Sequence, residues 1–180
     1  WCEINESIQA LKGDGAIDLM EVVFELGSKL VIGSGLTDSP SKAIEIQRQC
    51  INSGNAYDKF EEMVFNQGGY IEKTRELNEP LFSKKVISEK NGFIKSFDTT
   101  ALGWAAAQMG CGRINKNDNL DNTAGIAFNA KVGDQVNKGD YIMQCFGSDE
   151  NKIDQAYSQL KEAFQIAEEK VESLAMIFRD

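Results

Sequence analysis

The sequence contains no histidine among its 180 residues. Histidine is the commonest metal ligand in proteins and the commonest general base near neutral pH. A Ser-His-Asp triad and a zinc site of histidine and cysteine are therefore excluded within this chain. Any chemistry that the chain performs must use carboxylates, lysine, tyrosine or cysteine, or groups supplied by a partner.

Long apolar runs and paired cysteines are also missing. No run approaches the roughly 20 residues that span a bilayer. The chain opens on Trp1 with neither a methionine nor a signal-peptide pattern, so we expect a piece of a longer protein. The cysteines form no CxxC pair, which favours reduced thiols and a cytoplasmic protein. They are Cys2, Cys50, Cys111 and Cys145.

Basic residues are outnumbered. The chain has 19 Lys and Arg against 28 Asp and Glu, a formal net charge of −9. A polyanion would be repelled on average, so we expect neither nucleic acid nor a membrane surface as a partner. The hydrophobic fraction of 42% is typical of a globular protein with a core of its own.

Helical periodicity dominates the first part of the chain. Asp18 is predicted as a helix N-cap with Glu21 as its capping-box partner, and Ser39 as the cap of a helix that starts at Pro40. The predicted helices occupy residues 4–11, 18–32 and 40–53, and a fourth carries Tyr57, Phe60, Met63 and Val64. The stripe expected to be buried on the second helix is Leu19, Val22, Val23, Leu26 and Leu30.

Strand and turn signals begin after residues 70–83, a polar, aperiodic segment that we interpret as a linker. Strands are predicted over residues 84–88 and 93–97, around a Lys90-Asn91-Gly92 turn, and over 126–130, 141–146 and 174–178. Helices are predicted over residues 98–109 and 153–171. Gly103 in the first of these is expected to permit close approach of a neighbour.

The segment Val-Gly-Asp-Gln-Val-Asn-Lys-Gly-Asp at residues 132–140 is the most distinctive β motif. Gly133 and Gly139 supply positive-φ turn positions, and the valines between the turns face a core. The pattern resembles the hairpin of biotinyl and lipoyl carrier domains. A carrier needs a presented lysine, for which Lys90 and Lys138 are the candidates, but neither has the expected sequence setting. We therefore favour a structural role.

Two further motifs have both a functional and a structural interpretation. Gly110-Cys111-Gly112-Arg113 could cradle a phosphate, but a helix C-cap explains it with fewer assumptions. The carboxylates of Asp118 and Asp121 superficially suggest a calcium loop, but the EF-hand glycine and glutamate are missing. We interpret both motifs as turns.

An ordered series of motifs covers essentially the whole chain and resembles the C-terminal part of the thymidine and pyrimidine-nucleoside phosphorylase family. The series comprises residues 6–13, 18–27, 53–60, 67–69, 102–103, 110–113, 121–126 and 132–140. The resemblance implies an α+β (α/β) fold: a helical segment of the large α/β domain over residues 1–69, the linker at 70–83, and a C-terminal α/β-hammerhead (barrel-sandwich hybrid) domain over 84–180. It also implies phosphorolysis, in which phosphate displaces the base of a pyrimidine nucleoside and leaves a pentose 1-phosphate.

The catalytic groups of that family lie upstream of the residues present here. They include a phosphate loop with a Lys-His-Ser segment, so the resemblance assigns no catalytic or cofactor-binding residue to this chain. Glu6 matches a glutamate that in the bacterial branch helps to hold a structural monovalent cation, and it is the one candidate metal ligand.

The leading hypothesis is a structural, inactive C-terminal portion whose partner is the remainder of the parent chain. The parent is expected to be a homodimer through its small helical domain and this portion a monomer. The alternative is a stand-alone barrel-sandwich binding module or a biotinyl- or lipoyl-like carrier.

Overall fold

The computed structural model describes residues 1–173 and 175–178. Helices make up the first part of the chain, and the second part contains both strands and helices. The described helices are α1 Cys2–Leu11, α2 Ile17–Gly33, α3 Pro40–Asn52, α4 Asn55–Asn66, α5 Ile71–Leu77, α6 Thr99–Met109 and α7 Glu150–Leu160. The described strands are β1 Phe82–Ile87, β2 Gly92–Phe97, β3 Gly125–Phe128, β4 Gln135–Val136, β5 Tyr141–Gly147 and β6 Phe164–Ala167. The predicted α+β class is confirmed.

The described residues divide into two compact units. Residues 3–76 and 175–178 form a helical unit, and residues 1–2 and 77–173 form a unit of strands and helices. The division falls within the segment predicted as a linker. That segment is not irregular throughout, because it contains α5 and the start of β1. The assignment of residues 1–69 and 84–180 to the two domains of the family stays a prediction.

One of the two predicted helix caps is confirmed, and the structure adds a side-chain cap that was not predicted. The Ser39 hydroxyl accepts a hydrogen bond from the backbone N–H of Lys42, and Pro40 opens α3 as predicted. The Asp98 carboxylate caps α6 in the same way. The prediction for Asp18 is wrong, because α2 begins one residue earlier, after Ala16, and has no side-chain cap.

The stripe predicted to be buried on α2 is wrong for Val23, Leu26 and Leu30, whereas Leu19 and Val22 are half-buried. Leu26 is 57% exposed and Leu30 76% exposed, whereas Phe24 and Ser28 are buried on the opposite face. That face packs against α3, where the side-chain amide of Gln47 donates to the Ser28 hydroxyl at 3.1 Å and to the Phe24 carbonyl at 3.3 Å. Apolar residues lie on both faces of α2, so periodicity alone did not identify the face that contacts α3.

The strands form two three-stranded antiparallel sheets, in the orders β1-β5-β3 and β4-β2-β6. The strands predicted on either side of the Lys90-Asn91-Gly92 turn are present, but β1 and β2 belong to different sheets and do not pair. A core of aliphatic side chains lies in this unit together with α6 and α7. Its fully buried large members include Val86, Ile94, Ile142, Met143, Ile153 and Leu160.

The helix predicted over residues 153–171 is half wrong. Asp149 caps α7, which ends at Leu160, and Phe164–Ala167 forms β6 beside β2. Ala163, Phe164 and Ala167 fit a helical period, but pairing with β2 decides their conformation. The strand predicted over residues 174–178 begins at Leu174, which lies outside the described residues, and residues 175–178 contain no strand.

Gly103 does not mediate a close contact, contrary to its predicted role. A methyl group at this position in the middle of α6 would meet no atom within 4 Å. Gly103→Ala is therefore expected to raise the free energy of unfolding by about 0.5–1 kcal/mol, because alanine loses less backbone entropy in a helix. Urea unfolding measures the change, and destabilisation would reveal a neighbour that the structure does not contain.

None of the helices within residues 1–173 and 175–178 has the length and apolar character that crossing a membrane requires.

Candidate functional site

The two Gly-Asp pairs of the 132–140 motif build the centre of the strand-rich unit. Gly133 and Gly139 adopt φ values of +95° and +97°, as predicted. The N–H of Gly133 donates to the carbonyl of Ile94, and the N–H of Ile94 donates back to the carbonyl of Asp134, both at 2.9 Å. The first Gly-Asp turn is thus fixed to β2 by a reciprocal pair of backbone bonds.

The second Gly-Asp turn repeats this arrangement. The N–H of Gly139 donates to the carbonyl of Ser88 at 2.9 Å, and the N–H of Ser88 donates to the carbonyl of Asp140 at 2.8 Å. The Asp140 carboxylate also accepts from the N–H of Asn137, three residues earlier, at 2.8 Å. Since Val136 between the turns is buried, the motif is a structural device that fastens β1 and β2.

The two lysines considered for a carrier lie on adjacent turns. The backbone N–H of Lys138 donates to the side-chain oxygen of Asn91 at 2.7 Å, and the carbonyl of Lys90 accepts from the Ser88 hydroxyl at 2.6 Å. Both lysines are exposed. Their backbones are thus tied into the turn network, while their side chains remain accessible.

The Asp121 carboxylate accepts four hydrogen bonds. One oxygen accepts from the backbone N–H and hydroxyl of Thr123 at 2.9 and 2.6 Å. The other accepts from the backbone N–H and hydroxyl of Ser148 at 2.9 and 2.7 Å. The N–H of Asp121 donates to the carbonyl of Gly110 at 2.9 Å. Asp121 therefore ties together its own loop, residues 110–124, and joins that loop to the one that contains Ser148.

These bonds set the pKa of Asp121. Partial burial removes water from the carboxylate and raises its pKa, but the hydrogen bonds from Thr123 and Ser148 stabilise the charged form. The bonds prevail and lower the pKa from 3.8 to about 2. The sequence predicted Asp121 only as a turn-forming residue. The partnership with Ser148 had no local signal, because the two residues are 27 positions apart.

The calcium interpretation of this loop receives no support from the arrangement. The Asp121 oxygens face protein donors, and Asp118 accepts from the backbone N–H groups of Ile114 and Asn115. Within residues 1–173 and 175–178, no three Asp, Glu, Cys or His side chains come together in a way that could hold a metal ion. Turn formation accounts for Asp118, and Asp121 combines a turn with the bonds to Ser148.

The phosphate interpretation of residues 110–113 is weakened by the backbone. Gly110, at φ +104°, forms the left-handed C-cap of α6, and its N–H donates to the carbonyl of Ala107. The N–H of Cys111 donates to the carbonyl of Ala106. Two of the N–H groups that a phosphate would need are thus engaged. The pKa of the Cys111 thiol is raised by burial and by neighbouring Cys2 and Asp121, the opposite of activation.

Glu6 lies exposed on α1, on the opposite side from buried Ile8. Among the described residues, Glu6 belongs to no group of three or more Asp, Glu, Cys or His side chains that could hold a metal ion. Its role as a ligand of a monovalent cation stays a prediction.

Comparison with known proteins supports one family. Residues 93–167 match the model of the pyrimidine nucleoside phosphorylase C-terminal domain. The chain is 31% identical over 172 residues to the pyrimidine-nucleoside phosphorylases of Staphylococcus aureus strains USA300 and NCTC 8325 / PS 47, and 30% identical to that of strain bovine RF122 / ET3-1. Each match covers 94% of this chain and 40% of the relative. The chain thus spans about two fifths of the length of these relatives.

Proposed function

Since this chain corresponds to the C-terminal part of the pyrimidine-nucleoside phosphorylase family, we propose that it is a structural portion of such an enzyme without catalytic groups of its own. In the parent enzyme, phosphate would displace the base of a pyrimidine nucleoside and leave a pentose 1-phosphate. The observation that supports the proposal is that carboxylates of the strand-rich unit accept hydrogen bonds from backbone N–H groups and so stabilise its loops. Asp121, Asp134 and Asp140 all bind backbone within the strand-rich unit.

An exposed apolar face on α2 supports the proposal that the partner of this portion is the remainder of the parent chain. Val23, Leu26 and Leu30 lie on the face that points away from α3, and all three are exposed. Soluble proteins rarely leave large apolar side chains grouped on one exposed face without a partner. We propose that upstream residues of the parent's large domain cover this face, in the cytoplasm. We also propose that the parent is a homodimer and that the present portion alone is a monomer.

Leu30→Lys tests whether upstream residues of the parent cover the exposed apolar face of α2. In the isolated chain the exposed Leu30 is expected to tolerate lysine within about 0.5 kcal/mol of the original stability. In the full-length parent the same change places a charge in an apolar contact and should cost about 2 kcal/mol or more. Chemical unfolding of both proteins measures the difference, with Lys29→Ala as a neutral control on the same helix. Equal, small effects in both would contradict the proposed cover.

Ligand-induced stabilisation tests for a binding site in this portion. A ligand that binds only the folded state raises the midpoint of thermal unfolding. Inorganic phosphate and thymidine, alone or together, are expected to leave the midpoint of the isolated chain unchanged while raising that of a full-length phosphorylase. A saturable shift in the isolated chain, beyond that caused by sodium chloride at equal ionic strength, would contradict the proposal.

The carrier alternative is favoured by one observation, the two accessible lysines on adjacent turns. It requires a covalent lipoyl or biotinyl group on Lys90 or Lys138. The intact mass of protein purified from its native cells decides between the alternatives. We expect the unmodified mass if the chain has a structural role. A lipoyl or biotinyl group on either lysine would show that the chain is a carrier instead.

A further inference from the structure

Asn91-Gly92 is the one Asn-Gly dipeptide in the chain. Asn91 is exposed and lies in the turn before β2, which begins at Gly92. In such a pair the backbone nitrogen of glycine can attack the side-chain amide of asparagine, because glycine has no Cβ to obstruct the approach. The sequence thus puts a chemically labile amide at an accessible turn.

Two contacts hold this turn in the folded chain. The side-chain oxygen of Asn91 accepts a hydrogen bond from the backbone N–H of Lys138 at 2.7 Å, although the two residues are 47 positions apart. Gly92 pairs with Val136 between β2 and β4. The first contact fixes the amide that would be attacked, and the second fixes the backbone that would attack it. We therefore expect the reaction to require local opening that releases the bond to Lys138.

We propose that Asn91 is a site of spontaneous deamidation and that the hydrogen bond from Lys138 slows the reaction in the folded chain. The nitrogen of Gly92 bonds to the side-chain carbonyl carbon of Asn91, loses its proton and expels ammonia, which closes a succinimide ring. Water then opens the ring on either side and yields aspartate or isoaspartate. The reaction transfers no electrons and consumes only solvent water. This inference does not rest on the proposed enzymatic role.

The two products differ in their effect on the turn. Aspartate keeps an oxygen that can accept from Lys138. Isoaspartate instead routes the backbone through the former side chain and so lengthens it immediately before Gly92. Gly92 is closely packed against β6, since even an added methyl group would lie 2.3 Å from the carbonyl oxygen of Ala167. The isoaspartyl form is therefore expected to lose stability, whereas Asn91→Asp is expected to retain it.

Lys138→Pro tests the hydrogen bond because it removes the donor N–H and is compatible with the turn. The N–H of Asp140 donates to the carbonyl of Asn137 across this turn, and Gly139 at its third position has a positive φ. Such a turn favours proline at its second position, which Lys138 occupies. Lys138→Ala is the matched control, since it loses the same side chain and retains the N–H.

Peptide mapping by mass spectrometry measures the modified fraction of Asn91 while the full 180-residue chain is incubated at mildly alkaline pH. Lys138→Pro should accelerate modification about twofold to tenfold, the effect of losing one hydrogen bond of ordinary strength. Lys138→Ala should react at the wild-type rate. A synthetic peptide of residues 86–96, which lacks the bond to Lys138, should react faster than the folded wild type. Asn91→Gln should stay unmodified, because its longer side chain must close a larger ring.

Three results would overturn the proposal. One is a wild-type rate equal to that of the peptide, because the fold would then give no protection. Another is a rate in Lys138→Pro that is equal to or slower than the rate in Lys138→Ala. The third is modification of other asparagines with none at Asn91. Urea unfolding of both Lys138 variants is the control for loss of the fold. If Lys138→Pro proves unfolded, the comparison of wild type with peptide decides alone.

The stability of the products gives an independent test. Chromatography separates the aspartyl and isoaspartyl forms of the aged chain, and urea unfolding compares them with fresh wild type and with Asn91→Asp. The isoaspartyl form should unfold at the lowest urea concentration. Equal stability of all four would contradict the expected effect of the longer backbone at Gly92.

Discussion

Replacing Gly92 by alanine is expected to lower the free energy of unfolding by about 3 kcal/mol or more. Gly92 opens β2 with φ +153°. A methyl group there would lie 2.3 Å from the carbonyl oxygen of Ala167 and 2.6 Å from a methyl carbon of Ile166. Because the first of these atoms is backbone of β6, relief requires β2 and β6 to separate. Urea unfolding followed by far-ultraviolet circular dichroism measures the loss.

Gly139→Ala is the matched control for this prediction. Gly139 also has a positive φ, +97°, but a methyl group there meets no atom within 4 Å. It should therefore cost only the backbone strain of a left-handed alanine, about 1–2 kcal/mol. If both variants lose the same stability, the close packing of Gly92 against β6 is not the cause.

Asp121→Asn is expected to lower the free energy of unfolding by about 2–3 kcal/mol at neutral pH. The amide group cannot accept bonds from both Thr123 and Ser148, since its nitrogen is a donor and would face one of these pairs of donors. The loops that Asp121 joins would then lose their common contact. Chemical unfolding at pH 7 measures the change, and Asp118→Asn is the control, because that carboxylate bonds only within its own exposed loop.

The pH dependence of stability follows from the same carboxylate. Its pKa is about 2 in the folded chain, against about 3.9 for an unperturbed aspartate. The stabilisation from ionised Asp121 is therefore complete above about pH 4 and is lost as the pH falls through about 2. Since the side chain is partly exposed, we expect this contribution to be about 1–2 kcal/mol after solvent screening.

The difference in stability between wild type and Asp121→Asn should accordingly shrink between pH 5 and pH 2. Unfolding of both proteins across this range provides the measurement. A difference that stays constant with pH would show that the ionised form of Asp121 has no special role.

Local chemistry made several elements predictable from the sequence. The Ser39 cap with Pro40 located α3, and the glycines of the two Gly-Asp turns have the expected positive φ. Each of these features depends on a few neighbouring residues. Capping bonds and left-handed turn positions are therefore encoded within a single short window.

Long-range pairing explains what could not be predicted. The separation of β1 and β2 into two sheets depends on β5 and β6, which lie far along the chain. Phe164 and Ala167 fit both a helix and a strand, and only the pairing with β2 selects the strand. The contact between Asp121 and Ser148 likewise joins two loops that no local window contains.

The sequence predicted the family better than it predicted individual contacts. An ordered series of short motifs constrains the family even when single helices and strands are misassigned. The absence of histidine is incompatible with the Lys-His-Ser segment that the resemblance places in the family's phosphate loop.

A turnover assay of the isolated chain shows whether this portion has an active site of its own. The chain is incubated with inorganic phosphate and thymidine or uridine, and free base is measured by chromatography beside a full-length pyrimidine-nucleoside phosphorylase at equal molar concentration. We expect base release by the full-length enzyme and none by the isolated chain above the rate without protein. Phosphate-dependent base release by the isolated chain, persisting through repeated purification, would contradict it.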